Sequence, residues 1–172
     1  MKKGKVHIIF GTGMGKTAMA LGRGVSAAMH GRKVIMIQFL KGVLSHETAD
    51  GLKQLEPAFK VFRFEKKNEY YENLSEEDKK EELCNIHNGY NYKKKVLCTG
   101  ECDMLILDEV LGVLDQKLVG DDSLETLLAA REENVDLILT GKVCPAGAEE
   151  HADEVTRLEC LKPSNDHACM NG

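Results

Sequence analysis

Short apolar runs alternate along this chain with longer stretches in which apolar residues recur at helical spacing. The apolar runs predict buried strands at residues 6–10, 34–38, 104–107 and 136–140, with two shorter strands at 61–64 and 155–158. Because strands that alternate with helices are typical of βαβ units, we expect the strands to pair in parallel. The pattern predicts an α/β fold with a mainly parallel sheet flanked by helices.

The predicted helices begin and end at recognisable residues. The first is expected to run from Lys16 to Met29 and to end at His30-Gly31, because glycine suits the position after a helix C-terminus. Ser75 is followed by three acidic residues, which is a favourable helix start. Further helices are expected across residues 49–55, after Asp122 or Ser123, and across residues 146–152.

Length and composition indicate one domain of ordinary soluble character. The chain has 172 residues, of which 42% are hydrophobic, enough for one sizeable core. We assign residues 1–162 to a single domain and expect a disordered tail at 163–172. A net charge of −5 argues against nucleic acid or an anionic membrane as the main partner. Because no transmembrane run or signal peptide is recognisable, we expect a cytoplasmic protein.

The six cysteines form no recognisable metal or disulfide framework. Cys98 and Cys102 make a C-x3-C pair, but no second pair stands at metal-ligand spacing. Disulfides are also uncommon in a reducing compartment. We therefore interpret the cysteines as structural or incidental.

The stretch FGTGMGKTAMALG joins the first predicted strand to the first predicted helix. Gly11, Gly13 and Gly15 allow a tight turn that brings backbone N–H groups toward one anion, and the helix start adds further N–H groups. Lys16 supplies a positive charge, and Thr17 supplies a hydroxyl suited to Mg²⁺ or phosphate. The loop is one residue shorter than G-x-x-x-x-G-K-[ST], yet it predicts a triphosphate site better than a G-x-G-x-x-G dinucleotide site.

Polar residues also follow three further predicted strands, at the sheet edge where ligands bind in open α/β folds. Asp108 and Glu109 end the strand in MLILDEV, and one of them can bind Mg²⁺ while the other orients a neighbour. Gln38 and Lys41 follow the second strand, and Lys142 follows ILTG. Simpler interpretations stay open here. Asp108 could be a capping residue with Glu109 at the surface. Gln38 and Lys41 could form the base of an exposed loop, and Lys142 could belong to a plain strand–turn.

Together these pieces resemble the P-loop corrinoid adenosyltransferases, which attach adenosine from ATP to the cobalt of cobyrinic acid a,c-diamide or cobalamin. The resemblance rests on GTGMGKT, QFLKG, DMLILDEV and LILTGK in this order, and it spans residues 5–158. It implies a RecA-like P-loop NTPase fold, usually present as a homodimer. It also implies that reduced cobalt attacks the ribose 5′ carbon and releases the whole triphosphate.

The resemblance assigns roles to particular residues of this chain. It implies catalytic roles for Lys16, Thr17 and Glu109, and a Mg²⁺ or Mn²⁺ ion held by Thr17 and Glu109, with Asp108 as the alternative ligand. Nucleotide contacts are expected from Gly11, Thr12, Gly13, Met14, Gly15, Lys16, Thr17, Ala18, Gln38, Lys41 and Lys142.

An aromatic segment at residues 59–71 is the candidate corrinoid contact. By resemblance, Phe62, Phe64, Tyr70 and Tyr71 would exclude water and the lower axial ligand from the cobalt. The cobalt would be reduced by a separate electron donor such as a flavodoxin, since no flavin or iron–sulfur motif is recognisable.

Two other interpretations stay open. The first is a small P-loop kinase or ATPase, which would release ADP rather than triphosphate. The second is a nucleotide- or corrinoid-binding module without activity. It is motivated by Met14, where the family commonly has lysine, and by Ser26, where it commonly has arginine.

Overall fold

The computed structural model describes residues 3–40, 46–64, 71–120 and 124–162. Within these residues, six strands form one sheet: β1 (Val6–Phe10), β2 (Val34–Gln38), β3 (Phe59–Arg63), β4 (Met104–Asp108), β5 (Asp136–Gly141) and β6 (Glu154–Arg157). Their order is β3-β2-β4-β5-β1-β6, and every pairing is parallel. The predicted parallel α/β architecture is therefore confirmed.

Six helices connect the strands: α1 (Lys16–Met29), α2 (His46–Lys53), α3 (Glu76–Thr99), α4 (Val110–Asp115), α5 (Leu124–Ala129) and α6 (Ala148–His151), with a 3-10 turn at Tyr71–Asn73. Helix α1 has the predicted bounds, and Ser75 caps α3 by accepting a hydrogen bond from the backbone N–H of Asp78. None of the described helices combines the length and apolar character needed to cross a membrane.

The observed elements differ from the prediction in several places, and β3 and β6 begin two residues and one residue earlier than expected. The helix expected across 49–55 begins earlier, at His46, and the one expected across 146–152 is confined to Ala148–His151. Helix α4 was not predicted, because it is only six residues long and follows β4 after the single residue Glu109. The proposed caps Asp122 and Ser123 and the tail 163–172 lie outside the described residues.

Alternate strand residues build an apolar layer on each face of the sheet. One layer includes Ile8, Ile37, Leu107 and Leu139 and is covered by residues of α3, α4 and α5. The other includes Ile9, Met36, Ile106 and Ile138 and is covered mainly by α1, whose buried face carries the small residues Ala20, Gly24, Ala27 and Ala28. This small-residue face allows α1 to lie close to the sheet, which positions the start of the helix beside the ends of β1, β4 and β5.

Polar side chains fasten the edge strand β6 to its neighbours. Arg23 of α1 donates two hydrogen bonds to the Glu154 carboxylate, at 2.9 and 3.2 Å. His7 of β1 lies with Nε2 2.9 Å from the Thr156 hydroxyl. Directly before β6, the Asp153 carboxylate accepts a hydrogen bond from the backbone N–H of Val6. These contacts hold β6 in place although only one side of it is paired.

Two glycines of α1 provide a matched test of this packing. A Cβ on Gly24 would lie 2.5 Å from Phe59 Cε2 and 2.7 Å from Ile106 Cδ1, whereas a Cβ on Gly22 would meet nothing within 4 Å. We expect Gly24→Ala to lower the free energy of unfolding by about 1–2 kcal/mol through overpacking, and Gly22→Ala to raise it by about 0.5–1 kcal/mol. Urea denaturation measures both, and equal effects would contradict this packing.

Acidification should destabilise the protein through His7. Burial, and secondly the charge of Arg23, hold the pKa of His7 below its ordinary value, against the opposing effect of Glu154. The imidazole of His7 takes up a proton more readily in the unfolded chain than in the folded protein. The free energy of unfolding is therefore highest at neutral pH and falls as the pH drops below about 6.5. His7→Gln should make this decline of the free energy of unfolding shallower between pH 7.5 and 5.5, relative to the exposed control His87→Gln. If the free energy of unfolding of His7→Gln declined with pH as steeply as that of the control, this role of His7 would be contradicted.

Candidate active site at the carboxyl edge of the sheet

The glycine-rich loop connects β1 to α1 and opens toward the carboxyl edge. Gly11 and Gly15 have backbone φ values of 119° and 97°, a region that glycine occupies without strain. The backbone N–H of Met19 donates to the carbonyl of Gly15. The amides just before Met19 belong to the first turn, where a helix offers N–H groups to an anion. The loop therefore has the form of an anion-binding turn.

Lys16 places its ammonium group inside this loop. Its side chain is only 6% exposed, and Nζ donates to the carbonyl oxygen of Gly13 at 3.0 Å. A positive charge held against the loop and shielded from water acts on a nearby anion more strongly than a solvated one. The structure thus places the predicted charge inside the loop. The amides of Gly11 and Gly13 do not converge on an anion as expected, because they donate to backbone carbonyls outside the loop.

The carboxylate of Asp108 is the centre of a hydrogen-bond network among the strand ends. It is 1% exposed and accepts bonds from the Thr17 hydroxyl, at 3.0 Å to both oxygens, and from Gln38 Nε2 at 3.1 Å. The Thr140 hydroxyl donates to the same group at 2.7 Å. Burial raises the pKa of Asp108, and the bonds from Thr140, Gln38 and Thr17 oppose that shift. Donors on three sides match the ionised form of the carboxylate.

Thr140 is a site residue that the sequence analysis missed. It is fully buried at the end of β5, where its hydroxyl also accepts a hydrogen bond from the backbone N–H of Glu109 at 2.9 Å. One hydroxyl therefore fixes both acidic positions, the Asp108 side chain and the Glu109 backbone. In the sequence, Thr140 is the polar residue that ends the apolar run LIL, directly before Gly141 and Lys142. That position could have predicted it as a site residue.

The structure brings Thr17 together with Asp108, the carboxylate that the resemblance placed second as a metal ligand. Glu109 caps α4 from a left-handed backbone conformation with φ 59°, and its side chain is half-buried. The choice between Glu109 and Asp108 as metal ligand stays a prediction. Asp108 has the position to orient the hydroxyl of Thr17 in either case.

Gln38 contributes an unused acceptor to the same network. The residue is 2% exposed, and among the described residues its Oε1 has no hydrogen-bond partner. The orientation of the amide is fixed chemically, because only the NH₂ group can donate to the Asp108 carboxylate. A buried acceptor without a donor is costly, so Gln38 is suited to receive a hydrogen bond from a ligand or a water.

The other predicted nucleotide contacts lie around the mouth of the loop. Thr12, Met14 and Ala18 are exposed, with 48% of Met14 accessible. Lys142 is exposed directly after β5, and its carbonyl and that of Gly141 both lie 3.2 Å from the Gly11 nitrogen. Lys142 therefore neighbours the loop through its backbone. Lys41 lies outside the described residues.

Three of the four aromatic residues predicted to contact the corrinoid lie within the described residues. Phe62 and Phe64, at the end of β3, are half-buried against Tyr92 of α3, with ring centroids 4.8 and 5.6 Å apart. Tyr71 is half-buried and packs against the same apolar layer. Tyr70 falls in a segment that the structure does not describe. Tyr92 had not been predicted, because it belongs to a helix distant in sequence.

Cys98 and Cys102, the predicted C-x3-C pair, stay apart from this edge. Cys102 lies before β4 at the opposite edge of the sheet and is buried, which raises the pKa of its thiol to about 12, while Cys98 is exposed. Among the residues that the structure describes, no three His, Cys, Asp or Glu side chains form a metal-binding group.

Removal of the Thr140 hydroxyl should destabilise the strand ends. Thr140→Val keeps the shape but leaves the Glu109 N–H without its acceptor and removes one of the donors to Asp108, at a cost of about 1–3 kcal/mol in the free energy of unfolding. Thr140→Ser keeps the hydroxyl and should lose no more than about 1 kcal/mol through the missing methyl. Chemical denaturation compares them, and a Val variant as stable as the Ser variant would contradict this network.

Comparisons with known proteins agree with this geometry. The family model for ATP:corrinoid adenosyltransferases BtuR/CobO/CobP matches residues 2–170. The corrinoid adenosyltransferase of Escherichia coli K12 is 25% identical over 169 residues, covering 96% of this chain and 81% of the relative. Corrinoid adenosyltransferase CobA of Salmonella typhimurium LT2 is 26% identical over 169 residues with the same coverage.

A solved structure supports the fold alone. The KaiC-like protein PH0186 of Pyrococcus horikoshii OT3 superposes with a TM-score of 0.56 at 18% identity, covering 92% of this chain and 74% of that one. This likeness confirms the RecA-like P-loop architecture expected for the parallel sheet. Because the family model spans nearly all of its residues, the chain belongs to the ATP:corrinoid adenosyltransferase family.

Proposed function

We propose that this protein transfers the 5′-deoxyadenosyl group of ATP to the reduced cobalt of a corrinoid, either cobyrinic acid a,c-diamide or cobalamin, and releases triphosphate. The observation that carries this proposal is the meeting of Lys16, Thr17 and Asp108 at the glycine loop, in a chain of this family. A positive charge, the first-turn amides of α1 and a hydroxyl therefore lie close together, as binding of a triphosphate requires.

The proposed reaction is a displacement at carbon. The electron pair of reduced cobalt forms a bond to the ribose 5′ carbon, and the bond from that carbon to the α-phosphate oxygen breaks. Its electrons leave on the triphosphate, so negative charge grows there as the bond lengthens. The Lys16 ammonium is already held at the loop, the first turn of α1 adds backbone N–H groups, and preorganised donors stabilise developing charge most effectively. Their role is therefore to stabilise the leaving group.

The site also fits a divalent cation shared with phosphate. The Thr17 hydroxyl donates a hydrogen bond to Asp108, which leaves its oxygen lone pairs available, and Glu109 follows directly in the chain. Since the described residues contain no group of three ligands, the cation would need phosphate oxygens as well, which is the usual mode for Mg²⁺. Bound Mg²⁺ or Mn²⁺ would neutralise part of the triphosphate charge, with Thr17 and either Glu109 or Asp108 holding it.

The corrinoid is proposed to approach from the β3 side of the site. Strand β3 pairs with β2, the strand that ends in Gln38, and Phe62 and Phe64 lie at or just beyond its end. Together with Tyr71 and with Tyr70, these rings would present apolar surface to the corrinoid and exclude water from the cobalt. The half-buried state of Phe62, Phe64 and Tyr71 leaves part of each ring available for such a contact.

The remaining parts of the proposal follow from the family resemblance. We expect a separate electron donor such as a flavodoxin to reduce the cobalt. We also expect the enzyme to act as a cytoplasmic homodimer.

The decisive experiment incubates the protein with ATP, Mg²⁺ and chemically reduced cob(I)alamin while the cobalt spectrum and triphosphate are followed. Adenosylcobalamin and triphosphate should form in equal amounts. Lys16→Met should lower kcat by about 10²–10³-fold, because a preorganised charge is lost from the leaving group. Lys33→Met is the matched control, since Lys33 is exposed beside the start of β2 at the opposite edge of the sheet.

Other products would identify the alternatives. ADP with phosphate, or a phosphorylated acceptor, would indicate a kinase or ATPase. Binding of both substrates without any product would indicate an inactive binding module, for which the exposed Met14 in the loop is the motive.

A further inference from the structure

The backbone that follows β6 lies directly against the glycine loop. The N–H of Leu158 donates to the carbonyl of Phe10, and the N–H of Gly13 donates to the carbonyl of Leu158, both at 2.8 Å. These two bonds continue the pairing of β1 with β6 beyond the ends of both strands. The loop is therefore attached on its outer side to a segment distant from it in sequence.

Two of the three loop glycines are required by this contact. A Cβ on Gly11 would overlap the carbonyl oxygen of Leu158, and a Cβ on Gly13 would lie 2.7 Å from the Leu158 carbonyl carbon and 2.8 Å from the Glu159 nitrogen. Gly15 differs, because a Cβ there would meet nothing within 4 Å. Unlike Gly11 and Gly15, Gly13 does not have a positive φ, so close approach is what demands glycine at that position.

The contact connects Leu158 to the ammonium group of the site. Gly13 uses its N–H for the Leu158 carbonyl and its own carbonyl for Lys16 Nζ, at 3.0 Å. Gly13 is therefore held by Leu158 on its N–H side and faces the buried Lys16 ammonium with its carbonyl. The bonds of Arg23 to Glu154 and of His7 to Thr156 keep β6, and so this support, in place.

We propose that the backbone of Leu158 is a positioning element for triphosphate binding, which holds the shortened glycine loop from outside and aims Lys16 into it. The inference rests on the proposed function and adds a residue outside the loop motif to its triphosphate site. A loop with one residue fewer than usual has less chain with which to build its own turn, and Leu158 supplies the missing constraint.

Two substitutions break the contact from opposite sides. Gly13→Ala adds a methyl group against the Leu158 and Glu159 backbone, and Leu158→Pro removes the N–H that anchors the segment to Phe10. Each should weaken Mg–ATP binding about tenfold, the effect of about 1.4 kcal/mol from losing one oriented charge contact. Isothermal titration measures the Kd for ATP, and steady-state kinetics should show a raised KM for ATP with an unchanged KM for the corrinoid.

Matched controls separate the backbone from other effects. Leu158→Ala removes the half-buried side chain but keeps the backbone bonds, and Gly22→Ala adds a methyl group to the same helix without a contact. Both should bind ATP like the wild type. The double variant Gly13→Ala/Leu158→Pro should bind no more weakly than the weaker single variant, because both changes break one contact. Wild-type affinity in Gly13→Ala and Leu158→Pro, or a tenfold loss in Leu158→Ala, would overturn the proposal.

The wild-type protein offers a test that does not depend on the folding of any variant. With glycine labelled by ¹⁵N, hydrogen exchange of the Gly13 amide should be slow before nucleotide is added, because Leu158 already occupies it. Rapid exchange of that amide would overturn the proposal. The proposed adenosyl transfer fails separately, if ATP binds with the predicted variant pattern but no adenosylated corrinoid forms.

Discussion

A carboxylate that is removed from water must be surrounded by hydrogen-bond donors, and this requirement organises the carboxyl edge of the sheet. Asp108 accepts hydrogen bonds from residues of α1, β2 and β5. The start of α1 and the ends of both strands, which are far apart in sequence, must therefore meet at one point. The strand order makes this possible, since β4 lies between β2 and β5. The small residues of α1 complete the arrangement by allowing the helix to start close to the strand ends.

The same constraint explains how binding groups can be held ready without a ligand. Asp108 orients the Thr17 hydroxyl, and the Gly13 carbonyl holds the Lys16 ammonium. The buried Lys16 and Asp108 carry opposite charges, which lowers the cost of shielding each of them from water. Beside the Asp108 carboxylate, the side-chain oxygen of Gln38 has no hydrogen-bond partner among the described residues, which marks the direction from which a donor is needed. Hydrogen bonds therefore hold the charged groups of Lys16 and Asp108 in place, while the side-chain oxygen of Gln38 can still accept a hydrogen bond.

The elements with strong local signals could be predicted from the sequence. The parallel sheet, the bounds of α1, the Ser75 cap and the glycine loop all follow from periodicity, capping chemistry and turn residues. Thr140, Tyr92 and Leu158 could not be found in this way, because their importance lies in contacts with residues distant in sequence. Helix α4 was not predicted for a different reason, since periodicity is a weak signal for a helix of only six residues.

The attachment of the loop to Leu158 also has a consequence for folding. Gly13 and Leu158 are far apart in sequence, and their bond can form only after β6 has joined β1 at the edge of the sheet. Contacts of such high sequence separation form late, because the chain must first close a long loop. The motif at the beginning of the chain therefore reaches its final shape among the last events of folding, and we infer that nucleotide affinity during refolding reports completion of the sheet.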